Sequence, residues 1–207
     1  MRLEKSEIII LIIAVVSFIV GIFMYDKMPQ NMASHWNLHG EVDGYLPKVW
    51  GVFILPFLLS GLAIFYLLIP RVSSLRENIQ AFTTYYYLFA IFSLLFLFGV
   101  YIQMLLWNVG TKINFLVTLP LGLGLLFIFL GVLCENAERN WFIGMRTSWT
   151  LESPSVWRKT NQLAGKLLKL SGGIAFLGIV FSKYAVFFMF FPVTLTAVIM
   201  IVYSYFA

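Results

Sequence analysis

The sequence predicts an all-α, polytopic membrane protein with about six transmembrane helices, both termini cytoplasmic and a small extracellular cap between the first two helices. Three observations carry this. Charged residues make up only 11% of the 207-residue chain and hydrophobic ones 61%, with a mean hydropathy of +0.91. A soluble domain usually carries about a quarter charged residues, so one water-facing core cannot absorb this much apolar surface. The apolar residues also fall into runs near the ~20 residues that a spanning helix needs, and the basic residues flanking those runs are unevenly shared between the two sides.

The six spans are expected at roughly 7–25, 49–69, 82–107, 113–133, 167–182 and 184–206. The first is longer than a signal-peptide core, and "MYDKMPQNM" after it holds no small-x-small cleavage site, so it reads as a permanent helix. The last two are separated only by Ser182-Lys183-Tyr184, which predicts a tight helical hairpin. The connections 70–81 and 108–112 are short enough to make spans two, three and four antiparallel neighbours. With no low-complexity tract and no internal repeat, 1–207 reads as a single membrane domain. The single cysteine, Cys134, rules out an intramolecular disulfide.

Orientation follows from the basic residues. With the N-terminus inside, Arg2, Lys5, Arg71, Arg76, Arg139, Arg146, Arg158, Lys159, Lys166 and Lys169 are cytoplasmic, and Lys27, Lys48, Lys112 and Lys183 lie outside, ten against four. The formal charge of +5 is mostly this asymmetry, so the expected partner is the lipid bilayer and not nucleic acid.

Two connections are long enough to carry a site. The outer loop, 26–48, contains Pro29, Gly40, Gly44 and Pro47, with Asp43-Gly44 as a strong turn pair; an ordered cap with a short hairpin fits it. Both histidines, His35 and His39, lie there. Four residues apart, they form a zinc-compatible pair only if 35–39 is helical, and a catalytic zinc normally takes three protein ligands. The favoured reading is that His35 and Trp36 pack and hydrogen-bond inside the cap, so neither metal nor cofactor is expected.

The cytoplasmic loop, 134–166, contains "NWFIGMRTSWTLESPSVWRKTNQLAG" and, within it, three of the six tryptophans. Ser153 before Pro154 reads as an N-cap followed by the first helical residue, opening a helix that runs into span five. Arg158, Lys159, Lys166 and Lys169 fall within an arc of about 100° on it. Trp141, Trp149 and Trp157 above that basic face can form an aromatic belt, with the lysines snorkelling to anionic lipid. That reading leaves Asn140, Gly144, Arg146, Thr147 and Thr150 unexplained. An arginine among hydroxyls and turns suits holding a carboxylate, a helix C-terminus or another loop.

The span interiors offer Ser17, Ser93, Gln103 and the glycines of "PLGLG", but no charge at mid-membrane, which lowers an ion-coupled transporter reading. The glycines point to close helix packing and Pro192 to a kink. No nucleophile lies near a base, so no enzymatic activity is expected.

Asn140, Ile143-Gly144, Arg146-Thr147, Trp149-Thr150-Leu151, Val156-Trp157, Thr160 and Gly165 together resemble the signature of the SdpI family of bacterial immunity integral membrane proteins. Pro29, His35-Trp36-Asn37, Gly40, Asp43 and Lys48 resemble the domain of unknown function that often stands at the N-terminus of that family; His39 is outside its pattern. The resemblance implies a multipass bacterial plasma-membrane protein that protects a cell against a secreted, membrane-active peptide toxin. It further implies a signalling receptor that holds a cytosolic transcriptional repressor at the membrane; for such a receptor the expected docking surface is Arg146 with the Trp residues of the cytoplasmic loop. The competing reading is a membrane enzyme or carrier acting on a lipid or lipid-linked substrate at a His35/Asp43 cluster.

Overall fold

The computed structural model describes residues 4–73 and 75–207, without the side chain of Arg76. In chain order the elements are α1 (Lys5–Tyr25), β1 (Asn31–Trp36), β2 (Val42–Pro47), α2 (Lys48–Val72), α3 (Arg76–Ala81), α4 (Thr83–Asn108), α5 (Phe115–Asn136), α6 (Ser148–Glu152), α7 (Pro154–Ala175), α8 (Leu177–Val180) and α9 (Ala185–Phe206). Among the described residues, six helical stretches are long and apolar enough to cross a membrane: α1, α2, α4, α5, α7 with α8, and Ser182–Phe206. The Ser182–Tyr184 connection is a single 3₁₀ turn, the tight hairpin that the sequence predicts.

The chain divides into two compact units. One comprises Met1–Leu67 and Ala90–Phe115; the other comprises Leu68–Phe89 and Leu116–Ala207.

In the first unit α1, α2 and α4 gather around Met28, Met32, Val52, Tyr101, Met104 and Leu105. Glycine permits two close approaches. A Cβ on Gly21 would stand 2.7 Å from the Tyr101 hydroxyl, and one on Gly51 would stand 2.7 Å from the Met32 sulfur. The second approach seats β1 on α2. The 26–48 loop is thus an ordered cap with a β-hairpin, as expected, but its turn is elsewhere. Asp43-Gly44 lies within β2, opposite a register irregularity at His35, and the chain reverses over 37–41. Gly44 is needed for contact, since its Cβ would lie 2.8 Å from that of His35. Asn37 makes the turn instead: its Oδ1 accepts from the N–H groups of His39 and Glu41 at 2.8 and 3.0 Å, and Gly40 takes a φ of 78°.

In the second unit α5 and α7 meet along glycines, as interfaces in lipid favour. A Cβ on Gly131 would be 2.6 Å from the Gly165 carbonyl oxygen, and one on Gly124 2.8 Å from that of Gly172. The predicted start of α7 is present: Ser153 Oγ accepts from the Val156 N–H at 3.4 Å with Pro154 in the first turn. Helix continues from there into the fifth span, so α7 begins 13 residues before the apolar run does. Its buried stripe of Trp157, Asn161, Ala164, Leu168 and Ala175 follows the i, i+3, i+4 spacing of an amphipathic helix.

Candidate functional site

Two furnished regions stand out, one in each unit. The first is the elbow between α5 and α7. Asn140 is fully buried, and its carboxamide replaces backbone partners on both sides. Oδ1 accepts from the N–H groups of Phe142 and Ile143 at 2.8 and 2.7 Å, while Nδ2 donates to the carbonyls of Glu138 and Ile143 at 2.8 and 3.0 Å. The chain then passes through Gly144 at φ 103°, where a Cβ would meet Asn161 Oδ1 at 2.5 Å. Only glycine suits both the left-handed backbone and this contact. Met145 next donates its N–H to Asn161 Oδ1 at 2.7 Å, so a side chain on α7 fastens the loop.

Thr147 and Thr150 cap α6 reciprocally. The Thr147 N–H reaches Thr150 Oγ1 at 2.8 Å and the Thr150 N–H reaches Thr147 Oγ1 at 3.3 Å. Arg139 Nη1 donates to the Leu151 carbonyl at 3.0 Å, satisfying an acceptor that the helix end leaves open. Asn78 of α3 donates to the Arg139 carbonyl at 2.6 Å.

The expected residues therefore separate into two groups. Asn140, Gly144, Thr147 and Thr150 build the elbow. Trp157 belongs with them: it is 2% exposed and its Nε1 donates to the Ala137 carbonyl at 2.7 Å. It is neither a belt residue nor a docking surface. Burial of a ring whose N–H has a partner stabilises the joint between α5 and α7. Trp141 and Trp149 are 52% and 40% exposed, with Trp149 packed edge-on against Tyr205 of α9 at 5.2 Å. Exposed Arg146 donates to the Trp141 carbonyl, bracing the loop's own backbone. Thr160 is fully buried, its hydroxyl without a hydrogen-bond partner among the described residues.

The basic face is also only partly available to lipid. Lys169 Nζ lies 2.7 Å from the carboxylate of Glu135, and Lys159 Nζ donates to the Ala207 carbonyl at 2.9 Å. Beside the elbow, a cavity of about 320 Å³ opens between the end of α5 and the first turns of α7, lined by Glu135, Glu138, Arg139, Trp157, Arg158 and Asn161 among others. Its two acids and two arginines match no single ligand charge.

The second region is the hairpin. The expectation that His35 and Trp36 both pack and hydrogen-bond inside the cap holds only by halves: His35 is exposed, with its Nδ1 2.5 Å from Asp43 Oδ1 across the strands, and Trp36 packs but its Nε1 has no hydrogen-bond partner among the described residues. Because His35 lies on β1 and His39 in the turn, the helical spacing that would pair the two histidines on a metal does not occur. Trp36 packs under the hairpin, its ring centroid 4.2 Å from Phe115 and 5.5 Å from Trp107. Lys48 Nζ sits 4.5 Å above the Tyr25 ring. Asn108, at the end of α4, accepts from the Ala33 N–H at 2.8 Å and donates to the Ala33 carbonyl at 3.0 Å.

Sequence reading passed over Asn161, Asn108, Arg139 and the Glu135–Lys169 pair. Asn161 carried a usable signal, a carboxamide on a face of α7 otherwise made of apolar and small residues. The other contacts span sequence separations of 12, 34 and 75 residues and leave no local trace.

Fold and site together define a multi-pass membrane protein with a hairpin and an elbow, each held by asparagine carboxamides. Residues 136–204 match the SdpI/YfhL protein family, and residues 12–59 match a domain of unknown function, DUF1648. The chain is 30% identical to "Immunity protein SdpI" of Bacillus subtilis (strain 168) over 203 residues, covering 97% of this chain and 95% of the relative. It belongs to the SdpI family. No solved structure matches it.

Proposed function

We propose that the chain is an immunity protein that guards its own cell membrane against a secreted, membrane-active peptide. The observation that carries this is the full-length similarity to an immunity protein, combined with the ordered state of both motifs that the sequence singles out. The count of basic residues assigns the hairpin to the outer face, where such a peptide arrives, and the elbow to the cytoplasm. The function assigned is binding, with no enzymatic step. The bilayer is its surroundings, the secreted peptide its ligand, and 1–207 acts as one membrane domain. In the signalling extension a cytosolic transcriptional repressor docks on the elbow through Arg146, Trp141 and Trp149, the groups it exposes; Asn140, Gly144, Thr147, Thr150 and Trp157 hold that surface in shape.

The test is expression of the chain in a sensitive strain exposed to the culture supernatant of peptide-producing cells. Growth restored by the chain, and by no empty vector, is the expected result. Unchanged killing, with the chain present in the membrane, would overturn the reading. Stoichiometric zinc in the purified protein, lost in a His35→Ala variant, would favour a metalloenzyme acting at His35 and Asp43 instead.

A further inference from the structure

The hairpin has two edges, and the molecule treats them differently. Facing pairs in an antiparallel ladder alternate between pairs that exchange hydrogen bonds and pairs whose N–H and C=O groups point away from each other. Ala33 is of the second kind, because both its groups are taken by Asn108 on the side away from β2. The same alternation appears at the open end of the ladder: the Lys48 N–H donates to the Gln30 carbonyl at 2.8 Å, and the next facing pair, Asn31 and Pro47, has no Pro47 donor to exchange.

Tyr45 faces Ala33 in the register, so its N–H and C=O also turn outward, on the opposite edge. Among the described residues no hydrogen bond reaches either group beyond the strand pairing. One edge is therefore closed by a side chain acting as a strand, while the other is open. Open edges are templates for an added strand, which most proteins cover, and extended peptides bind in this way to many sheets.

We infer that the β2 edge, centred on the Tyr45 backbone, receives an extended segment of the secreted peptide as a third strand. This rests on the immunity reading above and names how that ligand is held. The unpaired N–H and C=O call for another backbone and do not select its sequence. The surroundings suit a membrane-active peptide: Val49 and Trp50, on the first turn of α2, are 52% and 57% exposed. Pro47, which has no N–H to offer, ends the edge and keeps the added strand short.

Tyr45→Pro separates this from a side-chain effect. It deletes the outward N–H yet breaks no bond to β1, whereas Tyr45→Ala deletes the ring and keeps the N–H. Each full-length variant is expressed in the sensitive strain, with its membrane abundance measured beside protection. Protection is expected to fall about tenfold in Tyr45→Pro, the scale of one or two backbone hydrogen bonds, and to stay near wild type in Tyr45→Ala. Equal loss in both, or in neither, would overturn the inference.

If Tyr45→Pro does not accumulate, hydrogen exchange of the Tyr45 amide decides the matter. In detergent-solubilised wild-type protein, adding the purified killing peptide should slow it about tenfold; unchanged exchange, or slow exchange before peptide is added because two copies pair through β2, would overturn the inference. Failure of the wild-type chain to protect removes the immunity reading itself. Protection by the wild type together with full protection by Tyr45→Pro removes only the edge.

Discussion

The hairpin and the elbow solve one problem by different routes. Each is a non-helical segment whose backbone polar groups need partners, and each receives them from an asparagine on a helix: Asn108 for Ala33 and Asn161 for Met145. The difference lies in how far the help travels. Asn161 is 16 residues from Met145, with Asn140 and the Thr147–Thr150 cap adding still more local bonds. Asn108 is 75 residues from Ala33. Apart from the Asn78 bond to Arg139, the elbow is therefore built from its own segment and α7, and the hairpin depends on α4 being packed in place.

That contrast can be broken from either side. The largest effect is expected for Gly144→Val, which puts a branched side chain at φ 103° against Asn161. Strain of this kind costs about 3 kcal/mol, enough to open the elbow. Protease cleavage within 137–153 should accelerate while cleavage within 26–48 stays slow. Asn108→Leu ranks next, because it strands both Ala33 groups at a cost of about 2 kcal/mol. The cleavage pattern should then reverse, with the hairpin nicked and the elbow intact; a variant that loosened both regions would mean that the two are not separately held.

Arg146→Ala should be mildest. It removes one hydrogen bond from an exposed side chain, worth about 1 kcal/mol, so membrane abundance should hold. A repressor-release reporter, the readout of the signalling extension, should drop well below wild type. Equal loss of reporter and abundance would make Arg146 structural.

The same contrast explains what could be read from the sequence. Hydropathy needs no partner, so the spans were legible. The Ser153-Pro154 start and the density of special residues at 140–151 were legible because cap and turn chemistry is local. Asp43-Gly44 misled because the pair is a common turn signal, whereas here the missing Cβ of Gly44 serves contact with His35 and the Asn37 carboxamide shapes the turn. Trp157 misled because a tryptophan beside basic residues reads as a belt until its N–H is seen to be taken by the Ala137 carbonyl and its ring to lie against Gly144. Asn108 and the Glu135–Lys169 pair were illegible for a simple reason: their partners belong to other helices.

One more consequence follows from the glycines between α5 and α7. Gly124 and Gly131 are matched by Gly172 and Gly165, so the two helices are buttoned at two points seven residues apart on each. A slide of α7 by a single turn would drive ordinary side chains onto the carbonyls these glycines now accommodate. Because α7 also carries Trp157 and Asn161, movement passed along it to the elbow must come as a pivot about the buttons.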